Sequence, residues 1–178
     1  MQSGEAQAAR PPSQPKAPQP QPQQPWRTKA LADSLKERFP SAVVDYVKEK
    51  RLKVTVATDM MHALALFVRN ELGFDHISCV AGTDYISKNE IEVIYFVGSL
   101  SRPGYEDLII AVAERPRRDN PVVHSLVGVW TGAEYQERET YEMLGVNFQG
   151  HPDLRRLLLP EDWSDLPPLR KDYNSPGR

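Results

Sequence analysis

Along residues 26–144 the apolar positions keep two different periods. Leu31, Leu35 and Phe39 recur at helical spacing up to Pro40 and predict a first helix, with order beginning near Trp26 and Thr28 as its N-cap. Residues 42–47 and 52–56 are β-rich runs separated by a charged turn at 48–51. The second alternates apolar and polar residues, so the two predict a hairpin with one exposed face. Thr58 or Asp59 then caps a second helix carrying Met60, Leu64, Phe67, Val68 and Leu72, with Gly73 as its C-cap. Three further strands are expected at 74–81, 91–99 and 107–114. The run 91–97 is apolar on both faces after its start, which predicts a central strand covered on both sides. The order helix, two strands, helix, three strands predicts the α+β class. The expected form is a two-layer sandwich of one mixed or antiparallel sheet of about five strands, with helices on one face.

After Asn120 the pattern changes. Pro121 suits a helical first turn with Asn120 as cap, and Val123, Leu126, Val127 and Trp130 stand at i, i+3, i+4 and i+7, so a helix is predicted here. A second is predicted over 133–144, ending at Gly145. Residues 151–178 carry Pro152, Pro160, Pro167, Pro168 and Pro176 and few strand or helix signals. An extended arm is expected, lying over its own domain or a partner, with Asp153 capping a short helix at 154–159. At the other end, nearly every residue from Pro11 to Pro25 is Pro or Gln, so 1–25 is expected to be a disordered tail with polyproline II stretches. The chain thus divides into that tail, an α+β domain at 26–119, and helices with a docking arm at 120–178 that belong to the same domain.

Composition narrows the function. A formal net charge of −2 with 26% charged residues fits neither a nucleic-acid binder nor an acidic solvating tail, and Arg115-Pro116-Arg117-Arg118 reads as a solvated loop. Cys79 is the one cysteine, which excludes an internal disulfide and a cysteine-held cluster within this chain, and suits a reducing compartment. Its neighbours predict a buried strand position. No apolar run approaches the about 18 residues that span a bilayer, and the N-terminus lacks the apolar stretch of a signal peptide. Contact with a membrane is therefore expected only through partners.

The densest mixture of charge and apolar bulk lies at 134–172. On a helix, Glu137, Tyr141 and Leu144 fall on one side and Tyr135, Arg138, Glu139 and Glu142 on the adjacent side. Glu134–Arg138 and Arg138–Glu142 form i, i+4 pairs. Aromatic residues among charges predict a second surface over this helix, so it reads as a docking element. His151 is pushed into extended backbone by Pro152. Arg155 and Arg156 are expected to meet Glu137 or Glu139, or acids on a partner, and Arg170-Lys171-Asp172 adds a second charged anchor. Catalytic signals are missing. Ser125 has no GxSxG turn, and His62, His76, His124 and His151 lack metal spacing. There is neither a P-loop nor GxGxxG.

The run Glu137-Arg138-Glu139, then Glu142-Met143-Leu144, His151 and Arg155-Arg156-Leu157-Leu158 resembles the signature of the thirty-kilodalton subunit of respiratory complex I, an NADH:quinone oxidoreductase. Asn120-Pro121-Val122-Val123 and Trp130 look like its lead-in, and Leu169-Arg170-Lys171-Asp172-Tyr173 like its terminal motif. Glu142 stands where the family usually has Asp, which keeps the charge and lengthens its reach. The resemblance implies a non-catalytic subunit in the peripheral arm of a membrane-attached, ion-pumping donor:quinone oxidoreductase. Such a subunit binds no cofactor and buttresses the large quinone-site subunit beside the iron–sulfur subunits. It would be peripheral on the inner (cytoplasmic, matrix or stromal) face of the membrane. Glu137, Arg138, Glu139, Glu142, His151, Arg155, Arg156, Arg170 and Lys171 are then the expected partner-interface residues. Related subunits serve ferredoxin-linked, deazaflavin-linked and hydrogenase complexes, so the donor, quinone and pumped ion stay open. The rival readings are a scaffold acting through its Pro-rich tail and a stand-alone enzyme using Glu137, Glu139 and His151.

Overall fold

A computed structural model describes residues 26–175; the expected Pro/Gln tail lies outside the described residues. In chain order the elements are α1 (Trp26–Arg38), β1 (Val43–Val47), β2 (Arg51–Val56), α2 (Thr58–Asn70), β3 (His76–Tyr85), β4 (Glu90–Gly98) and β5 (Ile109–Glu114). They continue with β6 (Val122–His124), α3 (Glu134–Leu144) and β7 (Asn147–Gln149), and short 3-10 turns precede β4 and α3. The large sheet has the order β1-β2-β5-β4-β3. It is mixed. β2 and β5 run parallel, because α2, β3 and β4 intervene between them, and the other pairings are antiparallel. The expected hairpin is β1–β2, whose turn is closed by the Lys48 N–H on the Arg51 carbonyl (2.8 Å). The apolar run in β4 is interior but not central. β5 holds the centre, because both β2 and β4 pair with it.

The three helices share one face of the sheet. Leu31 and Leu35 of α1, Met61, Leu64 and Val68 of α2, and Leu144 of α3 meet Leu52, Val54, Ile91, Val93, Tyr95, Ile110 and Val112 in one buried core. Alternation along the strands sends the remaining side chains to the other face. There Ile94, Ala111 and Ala113 form a small cluster with Phe96. Beside it Glu92 is 1% exposed, bound by Lys53 Nζ at 2.8 Å and Arg115 Nη2 at 2.7 Å. One glycine sets how closely α3 approaches. A Cβ on Gly82 would stand 2.2 Å from Leu144 Cδ1, so any other residue there would push the Leu144 side chain aside or lift α3 from β3.

Several expectations need correction. The helix predicted after Asn120 is instead the strand β6, which pairs in parallel with β7. Leu126 and Trp130 are buried as their spacing demands, but in a tight turn where the Val129 and Trp130 N–H groups both reach the Leu126 carbonyl. Two β-branched residues, Val122 and Val123, favour the strand, and the spacing reported burial rather than a helix. Thr28 is not a cap. It sits inside α1, buried, and its hydroxyl donates to the Lys48 carbonyl (2.6 Å). The residue before α2 is Ala57, and no side chain caps that helix. Cys79 is exposed, not buried. A bulge between Ile77 and Cys79 shifts the register, pairs Cys79 with Phe96, and turns it to the sheet face away from the helices. The basic cluster is not simply solvated. Arg115 holds Glu92 and Arg118 holds Asp84 and Asp172, while Arg117 pairs with Asp119 at the surface.

Candidate docking site

The site is built on α3. Its C-terminus is set by Gly145, whose φ of 75° is the left-handed turn that the sequence predicts there. Arg170 Nε adds a cation at the same end by donating to the Leu144 carbonyl (2.8 Å). Residues 151–175 follow with no helix or strand, and the short helix expected at 154–159 does not form. Asp153 instead binds Arg155, with Nε–Oδ1 at 2.6 Å.

What replaces regular structure in this arm is side-chain bonding to its backbone. The Glu142 carboxylate accepts the N–H groups of Leu157 (3.0 Å), Leu158 (2.9 Å) and Leu159 (3.0 Å). Arg138, one turn earlier, donates from Nε to the Arg155 carbonyl (2.9 Å) and from Nη2 to the Arg156 carbonyl (3.0 Å). Arg156 donates in turn to the carbonyls of Pro160 (3.0 Å), Glu161 (2.8 Å) and Trp163 (2.7 Å). Opposite charges on successive turns of one helix thus collect consecutive N–H and C=O groups of an irregular segment, which would otherwise lack partners. His151 anchors the entry. It accepts the Asp153 N–H at Nδ1 (3.0 Å) and lies 3.0 Å from the Glu134 carbonyl through Nε2, a geometry that assigns its proton to Nε2. Farther on, the Leu169 N–H reaches the Met143 carbonyl (2.9 Å) and the Lys171 N–H reaches Asp84 Oδ2 (2.8 Å). Burial alone would raise the pKa of Asp84. The Arg118 hydrogen bonds, the Lys171 N–H and the charges of Arg118 and Arg170 outweigh it and hold the carboxyl below its ordinary range.

The expected interface residues therefore divide into three sets. Glu137, Arg138 and Glu142 are buried within this chain. Arg138 serves backbone carbonyls rather than the expected i, i+4 pairs with Glu134 and Glu142. Arg155 and Arg156 meet neither Glu137 nor Glu139, because Asp153 and the arm's own carbonyls lie closer. Glu139, Arg155 and Lys171 face outward, and His151, Arg156 and Arg170 are half-buried. Sequence reasoning did not find Asp84 and Arg118, which fasten the end of the arm from β3 and the loop after β5. No local signal marks them, since their partners lie 34 to 87 positions away in the chain. With its backbone held, the arm turns apolar side chains outward: Leu157 is 42% exposed, Leu158 61%, Leu166 48% and Leu169 58%. Among the described residues, no helix is long and apolar enough to cross a membrane, and no cluster of His, Cys, Asp or Glu is placed to hold a metal ion.

Known proteins share this build. The C subunit of F(420)H(2) dehydrogenase from Methanosarcina mazei is 35% identical over 147 residues, covering 82% of this chain and 90% of that one. The C subunit of NADH-quinone oxidoreductase from Chlorobium phaeobacteroides is 36% identical over 148 residues, covering 81% and 87%. A chain in the structure of the membrane-bound sulfane sulfur reductase, an archaeal respiratory membrane complex, shares the fold. Its TM-score is 0.68 at 23% identity, over 83% of this chain and 86% of that one. The family model described as the 30 kDa subunit of respiratory-chain NADH dehydrogenase matches residues 54–178, a span that holds most of the main sheet, α3 and the whole arm, and the chain belongs to that family.

Proposed function

We propose that this chain is a non-catalytic bracing subunit in the peripheral arm of a complex I-type oxidoreductase, and that it docks on the large quinone-site subunit through α3 and residues 151–175. The observation that carries the reading is the arm itself. Its backbone is fixed by Glu142, Arg138, Arg156 and Arg170, while Leu157, Leu158, Leu166 and Leu169 are presented to solvent. Holding exposed leucines in one arrangement has no benefit for an isolated chain. It suits a surface that loses little conformational freedom when a partner covers it. Glu139 and Tyr135, one turn apart on the outer side of α3, and the exposed Arg155 would form the polar rim of the same surface. Relatives of similar identity are named for two different donors, NADH and F(420)H(2), so the proposed role is the one they can share, which is bracing rather than choice of donor. Cofactors would be held by the partners, as iron–sulfur clusters and quinone, and attachment to the inner face of the membrane would be through them.

A tagged copy expressed in its own host tests this. The expected result is a large assembly containing iron–sulfur subunits and donor:quinone activity. A homogeneous monomer, with or without turnover of its own, would contradict it.

A further inference from the structure

Ile110, Val112 and Glu114 alternate along the central strand, and all three point into the helix-side core. An acid therefore occupies a position that the pattern reserves for an apolar residue. Glu114 is 0% exposed, and neither of its carboxyl oxygens has a hydrogen-bond partner. Val56 of β2 and Val93 of β4 flank it in the sheet. Tyr95 of β4 is its diagonal neighbour on the same face, Thr58 approaches from the start of α2, and Glu137 approaches from α3.

Glu137 has the opposite environment. It is as deeply buried, yet it accepts the Tyr95 hydroxyl (3.0 Å), the Ser125 hydroxyl (2.6 Å) and the Leu126 N–H (2.8 Å), with His151 facing it from the arm. Burial raises the Glu137 carboxyl above its ordinary range, and the three donors and His151 work against that rise, which suits an anion where Glu114 has no such support. A carboxyl with no partner in hydrogen-bonding geometry and only the Thr58 side chain beside it, in the same interior, favours its neutral form.

We propose that Glu114 and Glu137 form a buried proton-holding pair, Glu114 neutral and Glu137 ionised, which makes the fold lose stability as pH rises. The neighbourhood supports this. Burial first, and the charge of Glu137 after it, push Glu114 up to about 8, and Thr58 offsets this only in part. Burial and the two carboxyls raise Tyr95 well above its ordinary range, so its hydroxyl remains the donor to Glu137. The sign follows from linkage. The folded state keeps a proton on Glu114 that the unfolded state releases near 4.5, so its contribution is complete below that value and is lost as pH rises through about 8.

The test is urea unfolding of the full chain between about pH 6 and pH 9, beside Glu114→Gln, which keeps the shape and removes the titration. In the wild type, relative to the variant, the folded-to-unfolded ratio should fall about tenfold per pH unit up to pH 8. The variant should be the more stable protein at the upper end. Parallel curves, or a variant less stable throughout, would overturn the proposal. Infrared spectra of the wild type give a second reading that does not need the variant to fold. A protonated-carboxyl band should be present at about pH 6 and gone by about pH 9.5. Its absence at the lower pH would overturn the proposal, as would its survival in a folded Glu114→Gln.

Discussion

The sheet with its helices, residues 26–114, and the arm, residues 151–175, are held in place by different means. In the first, apolar side chains interlock, and the larger part of its core sits within one contiguous cluster. In the second, the leucines face outward and the charged side chains of α3 bind backbone. A region of the first kind is stable by excluding water and comes apart as a unit. A region of the second kind has a shape set by a few polar contacts, and its apolar surface is left available. The difference locates where stability resides in this protein and which apolar surface the proposed docking would use.

The largest effect should come from the sheet. Ile110 is fully buried in the central strand, so Ile110→Ala should cost about 2–5 kcal/mol. Thermal unfolding should remain one transition at a clearly lower midpoint, because the core and everything docked on it are lost together.

Glu142→Ala sharpens the contrast from the other side. It strips the acceptor from three successive arm N–H groups on a partly exposed segment, where water can take its place, so the loss is local to the arm. Hydrogen exchange at Leu157, Leu158 and Leu159 should accelerate sharply, with only a small change in the thermal midpoint. A midpoint that fell as far as that of Ile110→Ala would mean that the arm is part of the core's cooperative unit.

Acid should undo the end of the arm before it undoes the sheet. Asp84 is held below its ordinary range in the fold, so its contribution is present above about pH 4 and is lost as pH falls through its lower folded value. Exchange at Lys171 should rise over that acidic range while β4 and β5 stay protected. Asp84→Asn should show the loosened end already at neutral pH.

The sequence was most legible where one physical pressure acted alone. α3 was readable because Gly145 ends it and the mixed faces need cover, and the strands because β-branched residues alternate. It misled where burial and conformation separate, as at Val123, Leu126 and Trp130, whose helical spacing is met by a strand followed by a turn. Cys79 was expected to be buried and is exposed, because a one-residue bulge reverses which face a strand residue takes and leaves no local mark. In the docking site, the charges on α3 were identifiable as needing partners. That the partners are the arm's own N–H and C=O groups was not, since backbone acceptors and donors have no residue type.

If the arm presents preset apolar side chains to a partner, as proposed, Leu158→Asp combined with Leu169→Asp should block assembly without unfolding the chain. Both side chains are exposed, so the isolated double variant should unfold within about 0.5 kcal/mol of the wild type at each position. Introduced into the host in place of the native chain, it should sharply lower the amount of intact oxidoreductase on native gels. Normal assembly of the complex with a correctly folded double variant would mean that these leucines do not form the docking surface.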